Sequence, residues 1–218
     1  MEPRQRPSVA LKICGVTRSV DIDTCAALGV DAVGLNLWSG SRRYLSLEQA
    51  QVLTRDWPTG GPERIGVFVD ADVDEVRRAV ERLRLDLIQP HGERSIADYA
   101  RMGIPYVWVI RGTPALDTLE LPSPAPARIL LDAAVPGFGG AGVTTDWSWA
   151  RRAIVQLSAC EVWLAGGITA DNAAAAIAAV APAGLDVASG SEREGARRGE
   201  KHPDKIAALV DICRRVRL

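Results

Sequence analysis

Eight short runs rich in Val, Ile and Leu recur along this chain at intervals of about 25 residues, roughly the length of one strand plus one helix. They fall near residues 9–14, 31–37, 63–69, 85–89, 104–110, 127–132, 161–165 and 184–188. Between them lie stretches such as DIDTCAALG, LEQAQVLTRDW, VDEVRRAVERL, DWSWARRAIVQL, TADNAAAAIAAV and DKIAALVDICRRV. Their apolar residues recur at every third or fourth position, the spacing of a helix with one buried face. Strict alternation of strand and helix forces a parallel sheet, and eight units point to closure rather than an open doubly wound sheet. An open sheet would also place its glycine-rich phosphate loop after the first strand, whereas the strongest glycine loops here follow the seventh and eighth. The expected fold is α/β: a single (β/α)8 TIM barrel around a parallel eight-stranded inner sheet.

Local signals agree with that frame. Ser46 with Gln49 three residues on forms a capping box, Asp146 and Thr169 are expected N-caps, and Gly29 and Gly103 stand where helices should stop. The fifth unit departs from the pattern, because residues 113–126 carry four prolines, so its helix should be short or missing. A chain of 218 residues with 47% hydrophobic content can bury a full core as one domain. That domain is expected over residues 9–218, with the polar residues 1–8 (MEPRQRPS) loose. A net charge of −1 gives no overall field favouring nucleic acid or an acidic membrane surface, so any anionic ligand must be held locally. Cys14, Cys25, Cys160 and Cys213 match neither a zinc spacing nor a small disulfide framework, and no apolar run is long enough to span a bilayer. These features fit free thiols in a reducing cytoplasm, with no zinc site expected from them.

Barrel active sites sit at the C-terminal ends of the strands. Cys14 closes the first strand and Asp132 the sixth, three strands apart around the ring, so they should face each other across the mouth. A Cys in an apolar strand is by default a core residue, and a strand-end Asp by default a cap or loop anchor. A base and an acid on opposite sides of one sugar, however, suit an aldose–ketose rearrangement. For a thiol to serve as the base and a carboxyl as the acid, both pKa values would have to shift, because an ordinary thiol is mostly protonated at neutral pH and an ordinary Asp mostly ionised. Lys12, two residues before Cys14 on the same side of the strand, is expected to favour the thiolate. The apolar run Ile129-Leu130-Leu131 should desolvate Asp132 and raise its pKa. Gly166-Gly167 and Ser189-Gly190-Ser191 follow strands seven and eight, the two loops where barrels commonly hold a phosphate on backbone amides. His91, closing strand four, is a rival acid or base and is read as pocket lining.

Taken in order, several segments resemble the phosphoribosylanthranilate isomerase family. They are Lys12-Ile13-Cys14-Gly15-Val16-Thr17, residues 34–44 (GLNLWSGSRRY), Gln89-Pro90-His91-Gly92, Leu130-Leu131-Asp132 with Gly139-Gly140-Ala141-Gly142, residues 164–168 (LAGGI) and residues 186–192 (DVASGSE). The resemblance spans nearly the whole chain. It implies a tryptophan-pathway isomerase acting on a small phosphosugar by an Amadori rearrangement, which requires no redox cofactor and no metal; a cytoplasmic monomer or homodimer is the expectation for a barrel of this size. Cys14 would then be the general base and Asp132 the general acid. Arg43 would hold the anthranilate carboxylate, Trp38 would wall the aromatic ring, and the loop containing Gly140 would close over the sugar. The chain departs from the family pattern at Pro90 (usually Leu), Val143 (commonly Lys), Ser39-Gly40 (frequently Pro-Lys), and Ala188 and Ser191 (ASGSE for SSGVE). None of these removes a proposed acid or base. Other readings are another phosphosugar barrel enzyme, of the histidine-pathway isomerase or thiamin-phosphate synthase type, and a catalytically silent phosphate-binding barrel.

Overall fold

The computed structural model describes residues 9–133, 144–195 and 199–215. The expected loose segment 1–8 and the glycine loop with Gly140 and Val143 lie outside them. The strands are β1 (Ala10–Cys14), β2 (Ala32–Asn36), β3 (Glu63–Val69), β4 (Leu87–His91), β5 (Val107–Arg111), β6 (Arg128–Asp132), β7 (Val162–Leu164) and β8 (Gly184–Val187). They form one eight-stranded sheet in the order β4-β3-β2-β1-β8-β7-β6-β5, every described pairing between them being parallel. The helices are α1 (Ser19–Leu28), α2 (Leu47–Thr54), α3 (Val73–Leu83), α4 (Ile96–Ala100), α5 (Trp147–Gln156), α6 (Ala173–Val180) and α7 (Pro203–Arg215). The expected barrel is observed, with each strand run found within about three residues of its anticipated position.

Closure rests on a narrow seam. Strands β4 and β5 share one bridge, Ile88 to Tyr106, with the Ile88 amide donating to Pro105 O at 3.0 Å. Backbone groups along a strand alternate between its two neighbours, so Pro90, two residues on, faces β5 where a further amide would have donated. Proline has no N–H to give. The substitution of Pro for the more usual Leu in this segment therefore shortens the seam rather than the strand, which remains paired to β3 through Phe68.

Helix ends follow the local chemistry. Ser46 and Gln49 make the reciprocal capping box, and Asp146 accepts from the Trp149 amide at 3.0 Å. Gly29 closes α1 in the left-handed region, φ 72°, with its amide turned back to Ala26 O and Cys25 O. The expected cap Thr169 is displaced: it opens a preceding turn, and α6 starts after Asn172, whose side-chain oxygen accepts from the Thr169 amide. The proline-rich unit keeps one 3-10 turn, Leu116–Thr118. The five-residue α4, which the periodicity does not reveal, is pinned by the buried Tyr99 hydroxyl donating to Ala71 O at 2.9 Å.

Two apolar cores result. The larger lies between sheet and helices and includes Ile13, Val33, Leu35, Ile88, Ile129, Leu131, Leu164 and Leu185. The smaller fills the lower barrel with Ala32, Ile65, Leu87, Val107, Leu130, Trp163 and Ala165. Trp163 occupies the volume that Gly184 vacates, since a Cβ on Gly184 would stand 2.5 Å from the indole. The Arg128 guanidinium covers the ring at 4.7 Å and pairs with Glu63. Trp163→Ala should cost about 3–5 kcal/mol, because eight strands cannot collapse onto the cavity, and urea unfolding would measure it.

Candidate active site

Residues of one parity along each strand point into the barrel. Above the apolar layer that parity presents Lys12 and Cys14 from β1, Gln89 and His91 from β4, Arg111 from β5, Asp132 from β6 and Asp186 from β8. A charged upper layer thus stands on a dry lower one. Lys12 and Asp186 face each other across the β1–β8 ladder, and Lys12 Nζ donates to Asp186 Oδ2 at 2.7 Å with Lys12 only 2% exposed. Burial works against the ammonium, but Asp186 and Cys14 outweigh it and hold Lys12 charged above the usual lysine range. Asp186 opens the segment 186–192 (DVASGSE), in which it carried no expected role. Its only signal was a carboxylate in a strand buried on both faces.

Cys14 lies at the end of β1 beside Gly34, where a Cβ would stand 2.8 Å from Sγ, so this glycine makes room for the thiol. Burial pushes the thiol pKa up, Lys12 and Lys201 pull it down, and Asp186 adds to the rise. Lys12 thus acts in the expected direction, but the net shift is upward: desolvation is the larger effect. Asp132 is pushed up to about 6, by burial first and then by Asp186, against a hydrogen bond from the Ala133 amide and the charges of Arg111 and Lys12. This is the anticipated direction, with a second carboxylate contributing. His91 is driven down to about 3 by burial and by Lys12 and Arg111. Its Nε2 lies 3.0 Å from the Gln89 amide nitrogen, which can donate only to an unprotonated ring nitrogen. A neutral, acceptor His91 fits pocket lining better than the rival acid role.

The glycine loops converge beside this layer. Gly166 and Gly167 both adopt positive φ, 88° and 61°. A Cβ on Gly166 would meet Thr145 Oγ1 at 2.5 Å, and one on Gly190 would run into Ile168 O, so the two loops pack backbone to backbone. Ser189–Ser191 forms a single 3-10 turn. Ser191 is buried and its hydroxyl donates to Ala188 O at 2.8 Å, which commits its one donor to the backbone of the same turn. A cleft of about 690 Å³ opens alongside, lined by Thr169, Ser189, Gly190, Glu192 and Arg193 among others.

Arg43 is buried, its side chain stacked over Gly15. Its fork is already engaged: Nε donates to Glu192 Oε1 at 2.6 Å and Nη2 to Glu192 Oε2 at 3.1 Å. Burial alone would raise the Glu192 pKa, but Arg43, Lys201 and the Gly199 amide hold it down at about 2. The partner that sequence reading expected from the substrate is thus supplied in part by the protein. Trp38 is half-buried at the β2 rim with its ring over Gly40, and its amide donates to Asn36 Oδ1 at 3.1 Å. Ser39-Gly40 thereby seats the indole. Glu192 closes the segment 186–192 but carried no expected role, and Lys201 lies outside every motif.

The Lys12 ammonium favours the thiolate, so Lys12→Met should move the pH dependence of iodoacetamide alkylation at Cys14 about one unit upward, slowing alkylation at pH 8 about tenfold. Peptide mass spectrometry would follow it, and an unmoved profile would remove Lys12 from this role.

A family model described as N-(5'phosphoribosyl)anthranilate (PRA) isomerase matches residues 11–212. The protein of that name from Chromohalobacter salexigens is 42% identical over 211 residues, covering 95% of this chain and 94% of its own. The one from Thiobacillus denitrificans is 40% identical, covering 93% and 97%. Among solved structures, phosphoribosyl anthranilate isomerase from Thermotoga maritima superposes with a TM-score of 0.81 at 30% identity, covering 95% of this chain and all of that one. A further isomerase structure, at 27% identity and TM-score 0.76 over 95% of this chain and 100% of the other, holds reduced 1-(o-carboxyphenylamino)-1-deoxyribulose 5-phosphate. With the barrel, the strand-end thiol and carboxyl and the paired glycine loops all in place, this chain belongs to the phosphoribosylanthranilate isomerase family.

Proposed function

We propose that the chain catalyses the Amadori rearrangement of N-(5-phosphoribosyl)anthranilate to 1-(2-carboxyphenylamino)-1-deoxyribulose 5-phosphate, in the cytoplasm, with residues 9–218 acting as one catalytic unit. The observation that carries the assignment of roles is the pair of strand ends at one mouth. Cys14 stands on β1, and Asp132 on β6 has a carboxyl pKa of about 6, close to neutral and therefore able to give up a proton. Asp132 protonates the furanose ring oxygen, the C–O bond breaks, and the nitrogen lone pair forms a cationic Schiff base. Cys14 then removes the C2′ proton, and the electron pair left behind neutralises the nitrogen as an enolamine, which tautomerises to the ketone.

The raised thiol pKa fits this sequence of events. Burial raises the thiol against the pull of Lys12, so the form that reacts, with Cys14 ionised and Asp132 protonated, is a minor one that loses its thiol proton to solvent before substrate is bound. Ring opening places a new positive charge on the substrate beside it, and a nearby cation favours the thiolate. The C2′ hydrogen is most acidic at the same moment, because the adjacent iminium accepts the electrons. The ionised form of the base is therefore stabilised in the state in which it is needed.

The phosphate is read as held by backbone amides of the loops after β7 and β8, with the Ser189 and Gly190 backbone carrying more of the contact than the Ser191 hydroxyl. Arg43, locked to Glu192, contributes its charge and its remaining Nη1 toward the anthranilate carboxylate. Trp38 lies at the same rim, beside the ring.

Two measurements test this reading. Cys14→Ala and Asp132→Asn should each lower kcat/KM by about 10²–10⁴-fold, and variants that turn over like the parent would sink the assignment. The working form needs protonated Asp132 and ionised Cys14. Its population rises with pH up to about 6, stays level until the raised thiol value, then falls. The kcat/KM profile should follow that shape. Complementation of a tryptophan auxotroph lacking the isomerase, beside a histidine auxotroph, separates the substrate classes: growth restored only to the latter would reject this substrate.

A further inference from the structure

The chain has 26 basic residues, and three of them are lysines: Lys12, Lys201 and Lys205. Two of the three are buried at the mouth, and Lys201 is wholly buried at 0% exposure. Lys201 lies outside the catalytic scheme above. Burying an ammonium is costly, and an apolar side chain of similar volume would fill the space at less expense. Burial brings its pKa down to about 8, with Glu192 opposing the fall. The question is what the charge does that a methionine would not.

Its contacts answer this. Lys201 Nζ donates to Cys14 O at 2.7 Å and to Ala188 O at 3.0 Å, with Glu192 Oε1 at 3.6 Å. The β1–β8 ladder runs from Ala10 opposite Gly184 to Ile13 opposite Val187 and stops there. Cys14 and Ala188 are the next pair along. The ammonium bridges their two carbonyls, adding a rung at the level where backbone pairing has ended. One end of that rung carries the proposed base. The other opens the 3-10 turn, where Ala188 O also receives the Ser191 hydroxyl.

The segment bearing Lys201 is itself fastened on both sides. Its amide donates to Asp21 Oδ2 at 3.2 Å, and Arg18 reaches Glu200 and the Lys201 carbonyl. On the other side the Arg193 amide donates to Glu200 O at 3.0 Å, and His202 N to Ser191 O at 2.8 Å. A compact ammonium with tetrahedral donors can serve two carbonyls and a carboxylate that do not share a plane, which a guanidinium fork serves less well.

We propose that Lys201 is a positioning residue for the rearrangement, its buried ammonium tying the carbonyl of Cys14 to that of Ala188 so that the base and the phosphate-holding turn keep one fixed separation. The proposal rests on the roles read above for Cys14 and for the loop after β8. It explains why a chain whose basic residues are mostly arginine keeps a lysine here.

The test compares the parent with Lys201→Met and Lys201→Arg. Turnover of phosphoribosylanthranilate by the parent is measured first, since its absence would overturn the reading of function by itself. In folded Lys201→Met, verified by cooperative urea unfolding, kcat should fall about 10- to 100-fold and the Kd for inorganic phosphate should rise about tenfold. Lys201→Arg, which keeps the charge and donors, should recover part of the lost kcat. A folded Lys201→Met with kcat and phosphate Kd within about twofold of the parent would overturn the assignment to Lys201 alone. Should the variants fail to fold, the parent decides. Lysine-selective ¹⁵N spectra contain three Nζ signals, and that of Lys201, identified by elimination with Lys12→Arg and Lys205→Arg, should move as inorganic phosphate saturates the protein. A signal that stays fixed at saturation would reject the bridge.

Discussion

A closed barrel of this size can bury one layer of charge at its mouth only if the charges compensate each other, and here compensation rests on Lys12 and Asp186. The pair sits 2.7 Å apart across the β1–β8 ladder, out of solvent, where a lone charge of either sign would be costly. Its influence reaches each group proposed for chemistry. Asp186 raises both Asp132 and Cys14, which favours a protonated acid but opposes an ionised base. Lys12 lowers the same two groups and helps keep His91 neutral. Acid and base are poised by one shared ion pair, so neither partner can be altered without moving both.

The layer beneath makes that arrangement possible. Trp163, Ile65, Leu87, Val107 and Leu130 pack the lower barrel without polar partners for the ions above, and Arg128 with Glu63 closes the opposite end. Water is kept from the ion pair from below, so the electrostatic effects at the mouth are stronger than they would be in solvent. Around the rim, a second group of charges, Arg43, Glu192 and Lys201, links the β2 loop, the turn after β8 and the strap before α7. The first cluster lies within the β1–β8 ladder, and the second holds the barrel mouth together at a level where that ladder has ended.

The strands were readable because a parallel sheet covered on both faces needs continuous Val, Ile and Leu runs, and residues such as Ile129-Leu130-Leu131 announce themselves. Caps with a side-chain donor or acceptor three residues away, Ser46 with Gln49, were equally plain. The short α4 was not, since five residues give no period and Tyr99 holds it by a contact with Ala71. The pairings at the mouth were hidden for a different reason. Lys12 and Asp186 are 174 residues apart, and Arg43 and Glu192 are 149 apart. No local pattern encodes such a meeting, and the parity that placed Lys12 beside Cys14 could not say which carboxylate stood opposite.

The sequence by itself determined the eightfold alternation, the strand-end placement of Cys14 and Asp132, and the glycine loops after β7 and β8, because these follow from side-chain spacing along one segment at a time. Tertiary structure decided the sign of each balance. Burial of Cys14 outweighs the neighbouring ammonium, Glu192 takes the fork of Arg43, and Lys201 adds a rung where the β1–β8 ladder ends. Pro90 cost the β4–β5 seam a hydrogen bond, not the strand its place. Desolvation and charge pairing depend on what surrounds a group in three dimensions, and only closure of the barrel brings those surroundings together.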